Sequence, residues 1–167
     1  MPRFVLSLIL TVLALVMAAP VAAQQDVQIS FGRSLRIEGS ALEITSDSLE
    51  VDQTTGASIF SGNVLAVQGE MRINAQMLRL EYEAGARADT RRIGRLLASG
   101  GVTMVTQSEA IEAREAVYSL TAQTLELTGD VVFVQGPNLL SGERFVVDLR
   151  AGTGRMIGRV RTIIRLD

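Results

Sequence analysis

The pattern Gly-x-Val occurs four times, as Gly62-Asn63-Val64, Gly100-Gly101-Val102, Gly129-Asp130-Val131 and Gly158-Arg159-Val160. Its valines stand 38, 29 and 29 residues apart, and 29 residues before Val64 lies Leu35, in Leu35-Arg36-Ile37, without the glycine. A recurring period of this length marks a chain assembled from stacked supersecondary units, none of which can bury its apolar face alone. Eleven residues after Leu35 and after the first three valines comes a small residue: Ser46, Ala75, Ala113 and Gly142. From there to the next valine is 18 residues in three units and 27 in the second. The nine extra residues fall around Glu83 to Arg95, a polar stretch expected to be a long exposed loop.

Inside each unit the apolar residues alternate: Phe60, Val64, Ala66; Leu96, Ala98, Val102, Met104; Leu125, Leu127, Val131, Phe133; Met156, Val160, Ile164. A period of two predicts strands with one dry face and one wet face, the wet one carrying residues such as Asn63, Thr128, Asp130 and Arg159. In the second half of each unit an even step is followed by an odd one, as in Ile73, Ala75, Leu78, Leu80. That step reverses the phase and requires a bulge or corner, where a small residue lets backbones approach. Residues 75–88 and 109–123 are rich in helix formers. The shared register overrides that propensity, and both are predicted as strands. Turns are expected at Asp52 to Gly56, Gln68-Gly69, Gln135 to Asn138 and Ala151 to Gly154.

The predicted fold class is therefore all-β: antiparallel strands stacked in repeats of about 29 residues, the sheet folded over on itself. Small inner residues such as Ala66, Ala98 and Gly142 are expected to leave an apolar cleft. The first and last strands, near Leu35 to Ile44 and Arg159 to Leu166, are expected to be unpaired edges able to join another molecule.

Arg3 followed by the apolar run Phe4 to Ala19, then Pro20 and Val21-Ala22-Ala23, reads as a cleaved signal peptide over residues 1–23, leaving 24–167 as one domain. The chain has no Cys, no His and no Trp, and every basic residue is Arg. Those absences remove the commonest metal ligands, general base and reactive thiol. A net charge of −2 does not suit nucleic acid as a partner. Glu109, Glu112 and Glu115, or Asp47, Glu50 and Asp52, resemble an acid pair or a calcium cradle, but their places on polar strand faces favour solvated edge charge. Gly152-Thr153-Gly154-Arg155-Met156-Ile157-Gly158 imitates a dinucleotide fingerprint, yet only nine residues follow it, too few for the helix that mechanism needs. No catalytic, metal or cofactor site is expected.

The stretches Ile44 to Val51, Phe60 to Gly69 and Leu127 to Gly136 resemble the OstA-like family over roughly residues 40–160. The resemblance implies an open, twisted β-jelly-roll that acts in lipopolysaccharide transport in the periplasm, with lipid A acyl chains in an apolar groove. It also implies head-to-tail association with itself and with OstA-like domains of the inner- and outer-membrane components. The residues at equivalent apolar positions, expected to line that groove, are Phe60, Val64, Leu80, Val102, Met104, Tyr118, Leu127, Val131, Phe133, Phe145 and Val147. Two alternatives stay open: a structural β-repeat scaffold with a filled interior, or another component of the same transport machine.

Overall fold

The computed structural model describes residues 35–36, 41–83 and 92–165, so the expected signal peptide and Leu166 lie outside the described residues. Among these residues there are ten strands and no helix. They are β1 (Glu43–Thr45), β2 (Ser48–Val51), β3 (Ser58–Gln68), β4 (Met71–Tyr82), β5 (Ile93–Val105), β6 (Glu109–Ser119), β7 (Thr124–Gln135), β8 (Asn138–Asp148), β9 (Thr153–Ile157) and β10 (Arg161–Ile163). All pairings are antiparallel and run in sequence order from β3 to β8. β2 and β1 pair with the first and second halves of β3, and β9 and β10 pair with the two halves of β8. Each of these short pairs thus amounts to one long strand interrupted at its middle.

The interruption falls where the long strands bend. Val64 faces Ala75, Val102 faces Ala113 and Val131 faces Gly142, while Ser61 faces Met77, Ser99 faces Glu115 and Thr128 faces Arg144. Between these pairs the two residues Gly-x oppose a single residue on the next strand, which is a bulge. Both members of each pair are left-handed, for example Gly129 at φ 86° and Asp130 at φ 48°. Asp and Asn tolerate that conformation better than most residues. At Gly129 a Cβ would also lie 2.8 Å from the Arg114 side chain, so glycine is needed there for space as well as for backbone.

Across the bend Ala75 and Leu78 are both buried with Gln76 and Met77 outside, whereas Ala98 and Val102 are both buried with three residues between them. The predicted change of phase therefore occurs at the small residue. Its cause lies on the facing strand, in the Gly-x pair, which lets two halves of one sheet fold onto a shared core. Burying each Val, Leu or Phe of that core contributes about 1.5–3 kcal/mol.

Of the helix-prone stretches, residues 75–82 lie in strand β4 and residues 109–119 in strand β6. Two expectations need correction. Ile93 to Arg95 belong to β5 and not to a loop, because the inserted residues lengthen the hairpin, and the Glu83 N–H donates to the Arg92 carbonyl at 2.9 Å. Leu35 does not begin the first strand: β1 starts at Glu43, and Leu35 lies in the core.

Candidate functional site

The inner wall is built from alternate residues of both halves of every long strand, and it gathers into one apolar cluster. Of the eleven residues expected there, Val64, Leu80, Val102, Met104, Tyr118, Leu127, Val131, Phe133, Phe145 and Val147 are buried in it, and Phe60 is partly buried against it. Phe133 and Phe145 meet with ring centroids 5.4 Å apart at 47°, a tilted contact that adds to their area burial.

The open cleft expected from small inner residues is nearly filled. The interior cavity measures about 20 Å³ and is bounded by Leu78, Leu96, Ala98, Met104, Tyr118 and Leu125, among others. The space that remains lies beside the small residues Ala98 and Ala116.

Several inner residues were legible but not singled out: Leu78, Leu96 and Leu125 lie in phase with chosen neighbours, as Leu149 does with Val147. Leu35 carried no such signal. It is 1 % exposed, and beside it Arg36 donates from Nε and Nη2 to the Leu149 carbonyl at 3.2 and 2.6 Å. The Leu149 N–H in turn donates to the Gln123 carbonyl at 2.9 Å. Residues 35–36 thus clip onto the rim where β6 turns into β7 and β8 into β9, 113 residues away in sequence.

Glu109 corrects another expectation. It is buried, the one buried charged side chain among the described residues, and its Oε1 accepts from Gln135 Nε2 at 3.1 Å. Solvated edge charge describes Glu112, Glu115, Asp47 and Glu50, all exposed. Asp52 organises the turn after β2: the Thr55 hydroxyl donates to Oδ2 at 2.7 Å, and the Thr54 and Thr55 N–H groups donate to Oδ1. The Thr55 hydroxyl bond, followed by those backbone bonds, holds its carboxyl below the usual carboxylate range. Among the described residues no three His, Cys, Asp or Glu side chains are placed to hold a metal ion. The apparent fingerprint at Gly152 to Gly158 is a turn followed by β9 and the last bend.

On the outside of the bend, polar pairs run from strand to strand: Asn63 with Asp47, Arg114 with Asp130, and Arg159 with Glu143. Asp130, Ser141, Glu143 and Arg159 line a shallow cleft of about 400 Å³. These pairs are exposed, and each contributes ~0–1 kcal/mol.

The arrangement offers apolar burial and, among the described residues, strand edges with no further strand beside them. Residues 43–153 match the family model described as LptA/(LptD N-terminal domain) LPS transport protein. An uncharacterised protein of Rhizobium meliloti (strain 1021) is 31 % identical over 133 residues, covering 75 % of this chain and 70 % of that one. Among solved structures, LptH of Pseudomonas aeruginosa, the LptA homologous periplasmic component of the conserved lipopolysaccharide transport device, superposes with a TM-score of 0.65. It is 15 % identical, over 76 % of this chain and 96 % of LptH. At that identity the likeness establishes the fold.

Proposed function

The chain belongs to the LptA/(LptD N-terminal domain) LPS transport protein family, and from that premise we propose that it is a periplasmic carrier that shields lipid A acyl chains between the two halves of its sheet. It passes lipopolysaccharide from the inner toward the outer membrane without covalent chemistry, and needs no cofactor. Export follows cleavage of residues 1–23, and the description of LptH as a periplasmic component supports the location.

The observation that carries this reading is the inner wall itself. It is apolar through every long strand from β3 to β8, and it reaches both edges of the sheet. Such a wall holds acyl chains by non-directional burial, at ~25 cal/mol per Å² of apolar area, so no single side chain is indispensable. The edges, β1–β2 at one end and β9–β10 at the other, join other copies head to tail and OstA-like domains of the membrane-bound components by strand addition.

Photo-crosslinkers test the reading. Placed at Val131, Phe133 or Phe145 they are expected to capture lipopolysaccharide, and placed at Thr128 or Asp130 they are not. Equal labelling of both sets would reject the face assignment. The small interior cavity supports a second reading, a structural scaffold whose interior stays closed. No capture at any inner position favours that scaffold.

A further inference from the structure

The two ends of the sheet carry opposite charge. Residues 41–52, which hold β1 and β2, contain Glu43, Asp47, Glu50 and Asp52 and no basic residue. Residues 153–165, which hold β9 and β10, contain Arg155, Arg159, Arg161 and Arg165 and no acidic residue. Both edges also expose large apolar side chains, Leu49 and Val51 at the first and Ile157, Val160, Ile163 and Ile164 at the last.

The register of such a contact follows from the chain's own pairing rule. The valine of each Gly-x-Val faces the small residue of the next strand, as Val64 faces Ala75, Val102 faces Ala113 and Val131 faces Gly142. Four residues before the valine pair with three after the small residue, as Leu127 pairs with Phe145. Five before pair with four after, as Glu126 pairs with Val146. Among the described residues the last valine, Val160, has no next strand, and the first small residue, Ser46, has no preceding one. Setting Val160 opposite Ser46 of another copy keeps the strands antiparallel and repeats the rule once more. Arg155 then faces Glu50, Arg159 lies across the bend from Asp47, and Met156 faces Leu49.

We propose that copies of this chain join in that register, with the basic β9–β10 edge of one beside the acidic β1–β2 edge of the next. The proposal rests on the end-joining reading above and adds its register and its electrostatic lock. Two like ends would set acid against acid or arginine against arginine, which opposes closed dimers and directs open head-to-tail growth. The Met156–Leu49 contact carries the inner apolar wall from one copy into the next.

Charge reversal tests it, with light scattering over a dilution series in low salt and circular dichroism to confirm the fold. Wild type is expected to form oligomers that dissociate as salt rises. Arg155→Glu with Arg159→Asp, and separately Asp47→Arg with Glu50→Arg, are each expected to weaken association at least about tenfold. The chain carrying all four changes regains it. Reversed variants with wild-type masses, or a four-change chain no better than either pair, overturn the register while leaving end-joining intact. A wild type that is monomeric at every concentration and salt overturns end-joining itself, and this inference with it.

Discussion

The two ends of the stack use one template and reach different degrees of closure. In β7 and β8, Leu125, Leu127, Val131, Phe133, Phe145 and Val147 are all 0 % exposed. Toward the first edge Phe60 is only partly buried and Leu49 is 57 % exposed. The backbone is bent alike in both regions, so the difference lies in side-chain volume and in what covers the rim. The later strands bring an aromatic pair together and lie beside the clip of residues 35–36, whereas the earlier ones place Ala66 and Ala75 at inner positions. A repeated fold thus fixes where a wall stands, and the residues hung on it decide whether it is sealed. For a carrier, the sealed region is where opening costs most.

That contrast breaks most sharply on the aromatic pair. Phe133→Ala is expected to cost about 3–5 kcal/mol by denaturant unfolding, because the cavity left in a closed wall cannot collapse. Phe60→Ala is expected to cost less than half of that. Equal losses would erase the distinction between the two regions.

Leu35 comes next. Leu35→Ala is expected to cost about 2–3 kcal/mol, a large effect for a residue outside every strand. Since the chain has no other thiol, Leu35→Cys reports the clip directly. Labelling is expected to be slow in the free protein and to quicken when lipopolysaccharide fills the interior. Unchanged labelling in a sample that has captured lipid would mean that lipid enters elsewhere.

The bends give a smaller effect. Gly129→Ala must hold a left-handed alanine against Arg114 and is expected to cost about 1–2 kcal/mol. Gly101→Asn is expected to cost less than Gly129→Ala: a Cβ there meets nothing within 4 Å, and the backbone has only to move from φ 89° toward the 47° that Asn63 adopts at the equivalent position.

The smallest effect belongs to the Asp52 turn at the open end. Its carboxyl is held below the ordinary range, so the ionised form stabilises the fold. That contribution is complete above the unfolded-state pKa of about 3.9 and is lost as pH falls through the lower folded value. Acid-unfolding curves of wild type and Asp52→Asn should therefore differ in slope only below about pH 4.

Much of this molecule was legible along the chain. The strands, the dry and wet faces, the change of phase at Ala75 and Ala113, and the burial of ten of the eleven expected wall residues follow from periods of two and 29, which are local properties of a repeating backbone. Leu35 shows where such reading stops. Its spacing placed it in a first strand, but it is buried in the core while Arg36 beside it bonds to Leu149 on the far rim, and nothing near it in sequence encodes that contact. Glu109 is similar: it stands in phase with the inner residues Ile111 and Ala113, and nothing near it in sequence encodes Gln135 beside it.

By itself, then, the sequence determined the repeat, the strand identity of the described units, the side of the sheet that the repeating apolar positions face and the charge of each edge. The tertiary structure alone decided that the Gly-x pair is the fold line, that the interior is nearly full, and that residues 35–36 fasten the later rim. Periodicity sets direction one residue at a time, whereas filling and closure depend on volumes contributed from two walls at once. Those walls meet only when the sheet folds over.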